Sequence, residues 1–329
     1  MSMPPDSSPR PDVVSVVAPA YNEAENLENL YERVRRSLES DGESFQLLIV
    51  DNGSDDTTLD VLRKLSAKDE RVQFVSLSRN FGHQGAIIAG LEMASGNPII
   101  SMDADLQHPP EVLPEMLKHW KEGAEIVFTL KRKDRSRSLA RKLVDWGFYA
   151  LLSRLSGLQL ESGQSDFRLL DRRALLAITG MNERPKFLRG LTKWIGYRQV
   201  TIDYDVEPRR AGRSKFNFRQ LFRLGLDGVL SFSVLPLRLF TLSGVVVASG
   251  AFLYGAFVVA SGVYAYISGY PERIQPGWAT VATSIIFFGG IQLIGIGLLG
   301  EYLGRVYDQV KERPAYLIRE RSKALRRED

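Results

Sequence analysis

The chain has 329 residues, a formal net charge of +4 and a pI of about 9.1, and it contains no cysteine. Its length suits one ordinary domain with an appendage, or two small domains. The lack of cysteine excludes disulfides, thiolate metal sites and cysteine nucleophiles together. Residues 1–12 are polar and rich in proline and serine, without the apolar core of a signal peptide, so we predict a disordered leader there.

Apolar β-branched runs alternate with helical patterns in the N-terminal part of the chain. The runs that we predict as strands cover residues 13–18, 45–50, 72–77, 98–102 and 125–130. Leucine spacing over 25–38 and the pattern of 85–94 predict helices between them. Strands that are apolar on both faces and alternate with helices indicate an α/β fold with a mostly parallel, Rossmann-like sheet.

Polar clusters follow three of the predicted strands. They are residues 21–23, residues 51–52, and the pair Asp103 and Asp105. Ligands of open parallel sheets bind beyond the carboxyl ends of the strands, which is where all three clusters fall. Neither common glycine-rich phosphate loop follows any predicted strand, so a phosphate would have to be held by other groups.

Asp103 and Asp105 are two residues apart at the end of a strand, so their side chains point the same way. Two carboxylates that close repel each other unless a cation lies between them. A hard divalent cation, completed by diphosphate oxygens and water, would resolve the repulsion, and Gln107 could add a neutral oxygen. The alternative is a solvated acidic turn, which is the usual outcome for an isolated Asp-x-Asp. The two upstream clusters favour the metal site.

Two long apolar runs occupy the C-terminal part of the chain. Residues 239–271 and 274–300 contain no charged residue, and each run exceeds the ~20 residues that cross a bilayer core. We predict membrane spans over 236–267 and 278–300, joined by a short loop over 268–277. The alternative, a pair of buried core helices, is disfavoured because soluble helices rarely stay free of charge for so long.

Lysine and arginine placement predicts the orientation of these spans. The basic residues before the first span are Arg209, Arg210, Arg213, Lys215, Arg219, Arg223 and Arg238, and those after the second are Arg305, Lys311, Arg313, Arg319, Arg321, Lys323, Arg326 and Arg327. The connecting loop carries only Arg273. The positive-inside rule therefore predicts a two-span protein of the cytoplasmic (inner) membrane, with an extracytoplasmic loop. The N-terminal domain, both termini and the basic tail 301–329 would be cytoplasmic.

Residues 216–235 alternate aromatic residues and leucines with sparse arginines, a pattern typical of an amphipathic helix in the membrane interface. Such a helix would hold the preceding domain against the bilayer. Glycines within both predicted spans would permit close helix packing, either inside the hairpin or between chains. A homo-oligomer is therefore one of two possibilities.

Several ordered motifs resemble those of a known family. Pro19-Ala20-Tyr21-Asn22-Glu23, Asp51-Asn52-Gly53-Ser54-x-Asp56-x-Thr58, Arg79-Asn80-Phe81-Gly82 and Asp103-Ala104-Asp105-Leu106-Gln107 resemble family 2 glycosyltransferases of the GT-A fold. Within that family, the stretch 165–171, the motif Arg209-x-x-Gly212-x-Ser214-Lys215 and the C-terminal hairpin resemble polyprenyl-phosphate glycosyltransferases. These are the relatives of dolichyl-phosphate mannose synthase and of bacterial undecaprenyl-phosphate glucosyltransferases. The resemblance implies a GT-A domain over 13–215.

The resemblance also implies roles for individual residues. Those that would bind the nucleotide sugar are Pro19, Tyr21, Glu23, Asp51, Asn52, Asp103, Ala104 and Asp105, and those that would bind Mg²⁺ or Mn²⁺ are Asp103, Asp105 and Gln107. The family usually has aspartate where this chain has Asn52. Because asparagine both donates and accepts hydrogen bonds, it could still pair with N3–H of uracil. We therefore expect a UDP-sugar rather than a GDP-sugar.

The implied reaction is transfer of a hexose, with glucose from UDP-glucose favoured, to polyprenyl phosphate with inversion at the anomeric carbon. Asp166 would act beside Asp103 and Asp105 by orienting the acceptor phosphate or the sugar hydroxyls; its alternatives are a helix cap or a salt bridge to Arg168. The residues that we expect to bind the acceptor phosphate are Lys131, Arg132, Arg141, Arg209, Arg213 and Lys215. Their alternative is a solvated basic face, or attraction to lipid headgroups of ~1 kcal/mol per charge.

Three rival functions were weighed against this one. A processive polysaccharide synthase would carry Gln-x-x-Arg-Trp and more spans, and the stretch 187–194 lacks that motif. A non-catalytic membrane scaffold with a nucleotide-sugar fold would tolerate loss of Asp105 or of the stretch 209–215, yet both are intact. A metal-dependent nucleotidyltransferase is the weakest rival. We expect no nucleic-acid partner, and we expect His83 and His108 to be structural.

Overall fold

The structure, a computed structural model, describes residues 13–132, 164–181, 183, 186–205, 235–268 and 277–325. The chain divides into two compact units, one made of the N-terminal part together with residues from Arg313 onward, and the other made chiefly of Val229–Glu312. Four predictions fall on residues outside the described ranges. They concern the leader 1–12, most of the interfacial helix 216–235, most of the loop 268–277, and the basic residues Arg141, Arg209, Arg213 and Lys215.

An eight-stranded sheet organises the first unit, in the order β7-β5-β6-β4-β1-β2-β3-β8. The strands are β1 Val13–Ala20, β2 Ser44–Asp51, β3 Val72–Leu77, β4 Ile99–Ser101, β5 Ile126–Lys131, β6 Gln164–Leu170, β7 Gln199–Tyr204 and β8 Ile318–Arg321. The pairings β1–β2, β1–β4, β2–β3 and β5–β7 are parallel, while β6 is antiparallel to both of its neighbours. The predicted α/β fold with a mostly parallel sheet is confirmed.

Helices lie on both faces of this sheet. They are α1 Ala24–Glu39, α2 Thr58–Lys68, α3 Gly82–Met93, α4 Leu113–Lys121, α5 Arg172–Thr179 and α6 Leu188–Trp194. In β1, Val16 and Ala18 belong to a core cluster shared with α1, α2 and α4. The alternate residue Val17 faces α3, where it comes so close to Gly90 that a β-carbon there would clash with it. The strand is thus buried on both faces, as its largely apolar, β-branched run predicts.

The second unit contains two long helices, α7 Leu235–Ile267 and α8 Trp278–Val310. Both are long and apolar enough to cross a membrane. The first matches the predicted span closely. The second continues for ten residues beyond the predicted end at residue 300, through a segment that carries Glu301 and Arg305.

After α8 the chain returns to the sheet and adds β8, a strand that we did not predict. It runs antiparallel to β3, with Ser76 opposite Glu320 and Val75 opposite Arg321. The Ser322 N–H donates to the Phe74 carbonyl at 3.0 Å and extends the pairing. This strand has four residues, and three of them are charged. Charged residues are common in edge strands, and a search for apolar runs does not detect such a strand. Part of the tail 301–329 therefore belongs to the N-terminal domain.

Candidate active site

The three predicted polar clusters meet at one edge of the sheet, beyond the carboxyl ends of β1, β2 and β4. Hydrogen bonds tie the first cluster to the loop after β2. The backbone N–H of Asn22 donates to Ser54 Oγ at 3.0 Å, and the Asp55 N–H donates to Asn22 Oδ1 at 3.1 Å. The Glu23 N–H donates to Thr58 Oγ1 at 3.0 Å. Because β6 runs antiparallel to β4, its first residues come to the same edge and bring Asp166 there.

The turn that carries the two carboxylates is tight and locally strained. Leu106 has a φ of 62° although its side chain is buried, and a bulky residue in the left-handed region costs of order 1–3 kcal/mol. The Gln107 N–H donates to Asp105 Oδ1 at 3.1 Å. Backbone strain of this kind clusters at ligand sites, and here it fixes the direction of the Asp105 carboxylate.

His108 stabilises the same turn through a hydrogen bond to its backbone. Its Nδ1 accepts the backbone N–H of Asp103 at 2.9 Å, and its ring stacks on Phe167 with centroids 5.1 Å apart. The side chain is almost completely buried, and this burial lowers the pKa of His108. A neutral ring whose Nδ1 is an acceptor holds the turn in place, so His108 has a structural role.

Asp103 and Asp105 have the chemistry that a divalent cation requires. Asp103 Oδ1 is buried and accepts no hydrogen bond from any residue that the structure describes, which leaves a carboxylate oxygen for a cation. Asp105 lies beside it and is mostly buried. Within the described ranges, no three His, Asp or Glu side chains form a metal site by themselves. The residues therefore fit a cation whose other ligands are neutral oxygens, substrate and water, and the role of Gln107 stays a prediction.

Asp166 is held between two arginines. Arg168 bonds Oδ1 at 2.5 Å, and Arg189 bonds both oxygens, through Nε at 3.1 Å and through its terminal nitrogen at 2.8 Å. Burial alone would raise the pKa of Asp166, but Arg189, the nearby imidazole of His83 and Arg168 hold that pKa well below its usual range. Asp166 is therefore ionised. The salt bridge to Arg168 that we weighed as an alternative is present, whereas the cap of α5 is Asp171.

Two residues at this site were not assigned to it from the sequence. His83, the second residue of α3, lies with Nε2 at 3.5 Å from Asp103 Oδ1 and also at 3.5 Å from Asp166 Oδ2. Its side chain is 46% exposed. Arg189 comes from α6. The position of His83 directly after the motif Arg79-Asn80-Phe81-Gly82 was a usable signal, whereas no motif marks Arg189.

The two residues assigned to the nucleobase and ribose are engaged with protein loops. The Asp51 carboxylate accepts the Ser54 N–H at 3.0 Å and the Ser76 hydroxyl at 2.7 Å. Asn52 Oδ1 accepts the Phe81 N–H at 2.9 Å, and Asn52 Nδ2 donates to Asn80 Oδ1 at 3.2 Å. Both side chains thus stabilise the pocket wall. Their contact with a nucleotide stays a prediction.

The other residues assigned to the nucleotide sugar lie at the same edge. Pro19 and Ala104 are buried, and Tyr21 and Glu23 are half-buried. Gly53 has a φ of +71°, and a β-carbon on it would lie 2.5 Å from the backbone of Arg79. Only glycine permits this close approach of the loop after β2 to the Arg79 segment.

Among the basic residues assigned to the acceptor phosphate, the structure describes Lys131 and Arg132. Lys131 is the last residue of β5 and is half-buried. Arg132 forms an ion pair with Asp205 at 2.9 Å, and both side chains are exposed. The role of Lys131 and Arg132 in phosphate binding stays a prediction.

Comparisons with known proteins show which family this chain belongs to. The profile described as glycosyl transferase family 2 matches residues 15–178. An uncharacterized glycosyltransferase of Synechocystis sp. is 38% identical over 93% of this chain and 94% of its own length. The chain therefore belongs to glycosyl transferase family 2, and the resemblance drawn from its motifs is confirmed.

Two further similarities concern named activities. The SfII prophage-derived bactoprenol glucosyl transferase of Shigella flexneri is 40% identical over 93% of this chain and 97% of its own length. Glucosyl-3-phosphoglycerate synthase from Mycobacterium tuberculosis, solved with Mn²⁺, UDP and glucosyl-3-phosphoglycerate, is 21% identical, with a TM-score of 0.43 over 67% of this chain and 78% of that one. The second similarity is too low to carry a ligand over to this chain.

Proposed function

We propose that this protein is a membrane-bound, inverting glucosyltransferase that moves glucose from UDP-glucose to polyprenyl phosphate at the cytoplasmic face of the membrane. The observation that carries the proposal is the 40% identity to a bactoprenol glucosyl transferase, over 93% of this chain and 97% of that protein. Coverage this extensive includes most of both apolar helices as well as the sheet domain. The site geometry and the helix topology support it further.

Asp103 and Asp105 would hold Mg²⁺ or Mn²⁺, and the buried Oδ1 of Asp103 supports this assignment. The bound cation would offset the charge that develops on the departing diphosphate. Tyr21 and the loop after β2 would line the nucleotide side of the pocket. The hydrogen bonds between Asn22 and residues 54–55 keep these two loops together.

The acceptor needs no strong general base. A phosphate monoester has a second pKa near ~6, so it is already largely ionised at neutral pH. One of its oxygens forms a bond to the anomeric carbon while the bond from that carbon to UDP breaks, and the configuration inverts. Asp166, ionised and paired with Arg168 and Arg189, would orient groups at the site rather than accept a proton.

The connectivity of the helices supports the proposed membrane topology. Residues before α7 and residues after α8 fold into one unit, because β8 pairs with β3. This supports a topology with two spans, in which both segments would lie on the same side of the membrane. Arg238 in the first turn of α7, and Arg305 and Lys311 near the end of α8, favour the cytoplasmic side.

The test is a transfer assay with the purified full-length chain in detergent and undecaprenyl phosphate as the acceptor. UDP-glucose, UDP-galactose, UDP-N-acetylglucosamine and GDP-mannose are compared, each labelled in the sugar, with and without EDTA. We expect labelled lipid from UDP-glucose, and its loss in EDTA. Transfer from GDP-mannose instead of UDP-glucose overturns the donor assignment. UDP-glucose labelled in the uridine is the control, since label in the lipid from that donor indicates nucleotidyl transfer.

A further inference from the structure

His83 lies midway between two carboxylates that belong to different parts of the site. Its Nε2 is 3.5 Å from Asp103 Oδ1 and 3.5 Å from Asp166 Oδ2. A good N–H···O hydrogen bond has its heavy atoms about 2.7–3.2 Å apart, so a small rotation of the ring brings Nε2 into reach of either oxygen. A single Nε2–H makes a strong, linear bond to only one of them at a time.

The two carboxylates come from neighbouring strands that are fastened together, while the imidazole is partly exposed and has room to turn. Asp103 follows β4 and Asp166 lies in β6, the neighbouring strand. The Ser101 hydroxyl donates to the Asp166 carbonyl at 2.6 Å and fastens the two strands together. The His83 ring, by contrast, is 46% exposed at the start of α3. His83 is therefore the most exposed of the three side chains, ahead of Asp103 at 32% and Asp166 at 6%.

The two acceptors differ in what else they can bind. Asp103 Oδ1 accepts no hydrogen bond from the described residues, and it is the oxygen that a divalent cation would take. Asp166 Oδ2 already accepts a bond from Arg189 at 2.8 Å. Once a cation lies on Asp103 Oδ1, an N–H pointing at the same oxygen competes with it, so the N–H is better placed on Asp166.

We propose that His83 is a positioning residue whose Nε2–H exchanges between Asp103 and Asp166, and that cation binding at Asp103 moves this hydrogen bond to Asp166. The imidazole would thereby couple the cation site to the cluster of Asp166, Arg168 and Arg189. The coupling rests on the divalent cation of the proposed function. It adds a residue that links the donor side of the site to the side that orients the acceptor.

A double-mutant cycle on cation affinity tests the coupling. Mn²⁺ binding is measured by electron paramagnetic resonance on the full-length chain in nanodiscs, for the wild type, His83→Ala, Asp166→Asn and the double variant. His83→Ala removes the competing donor, so we expect Mn²⁺ affinity to rise about threefold. Asp166→Asn removes one of the two acceptor oxygens and a negative charge, so affinity should fall. That fall should be at least threefold larger in the wild-type background than in the His83→Ala background.

If the wild type binds Mn²⁺ and the effects of the two substitutions on its affinity are strictly additive, the proposed role of His83 is overturned. If the wild type binds no Mn²⁺, the cation of the proposed function fails as well, so the two failures are distinguishable. His119→Gln is the matched control, because His119 lies on α4 beside Glu122 at 3.3 Å, and it should not change the affinity.

A second readout avoids the Asp166 substitution, which removes the negative charge that Arg168 and Arg189 pair with. The chain has three histidines, so ¹⁵N-histidine labelling gives few imidazole signals, and loss of a signal in His83→Gln assigns His83. Titration with diamagnetic Mg²⁺ at fixed pH should shift the Nε2 resonance of His83 and leave that of His119 unchanged. An unchanged His83 signal at saturating Mg²⁺ overturns the proposal.

Discussion

Glu320, in the strand that follows the second apolar helix, forms a double hydrogen bond with Arg63 of α2. The two contacts measure 3.1 Å from Nε to Oε1 and 2.6 Å from the terminal nitrogen to Oε2. They join residues from opposite ends of the chain. Together with the β3–β8 pairing, they make the C-terminal segment part of the domain that carries the site.

Deletion of residues 314–329 should destabilise that domain. The deletion removes the β3–β8 pairing and the ion pair between Glu320 and Arg63. It also removes the bond from Ser78 N–H to the Leu317 carbonyl and two bonds between Phe74 and Ser322, and at about 1 kcal/mol each these three bonds alone contribute about 3 kcal/mol. We expect Tm of the full chain in detergent to fall by several degrees, measured by tryptophan fluorescence. Glu320→Ala, which removes the ion pair with the 48% exposed Arg63 and leaves the backbone pairing of β8 in place, should change Tm much less. Equal effects of the two changes would mean that the strand pairing contributes nothing.

Asp105→Asn should abolish transfer while the chain remains folded. Losing one anionic ligand weakens the cation site and removes stabilisation of the leaving diphosphate, so we expect turnover to fall at least 10²-fold. The measurement is lipid-linked glucose formed at saturating Mg²⁺. Asp60→Asn is the control, because Asp60 is 64% exposed on α2 and pairs only with Arg63 in its own helix. Full activity of the Asp105→Asn variant would contradict the assignment of Asp105 to the cation site.

The two arginines around Asp166 should separate into a structural one and a functional one. Arg168 is 3% exposed, so Arg168→Ala removes a buried guanidinium together with its hydrogen bonds to Asp166, Thr192 and Leu188. The lost bonds and the cavity left behind should cost about 2–5 kcal/mol in the free energy of unfolding. Arg189 is 28% exposed, and Arg189→Ala should lower Tm less but reduce turnover more than the Tm change explains. Thermal unfolding and the transfer assay on the same samples check this. The reverse order of the two Tm changes contradicts it.

Asp69 should contribute stability that depends on pH. Hydrogen bonds from Arg71 lower the pKa of Asp69 from 3.8 to about 2. Because the folded-state pKa is depressed, this contribution is complete above about pH 4 and is lost as the pH falls towards 2. Arg71 is 40% exposed and screened by solvent, so we expect Asp69→Asn to cost only about 1 kcal/mol at pH 7. Urea unfolding of both chains should show the difference shrinking between pH 4 and pH 2.

Local sequence patterns predicted the strands β1 to β5, the two apolar helices and the Asp103–Asp105 turn, because each depends on residues close together in the chain. They did not predict β6 and β7, in which polar and charged residues stand between the apolar ones. We did not predict β8, because a segment of four residues, three of them charged, forms a strand only when a strand edge such as that of β3 is available for pairing. His83 and Arg189 reach Asp166 from separate helices, and no spacing rule encodes that meeting. The side-chain contacts of Asn52 depend on how the loop over residues 79–82 closes, which only three-dimensional structure describes.

Asn52→Asp should weaken the loop over residues 79–82 without changing the base preference. A carboxylate at this position still accepts the Phe81 N–H, but it can no longer donate to Asn80 Oδ1, which also accepts the Gly82 N–H at 2.8 Å. A flip of the Asn80 amide would restore one bond and break the other, so about 1 kcal/mol is lost in either case. We expect a higher KM for UDP-glucose and an unchanged ratio of kcat/KM between UDP- and GDP-glucose. A changed ratio would show instead that this side chain leaves the loop and reads the base.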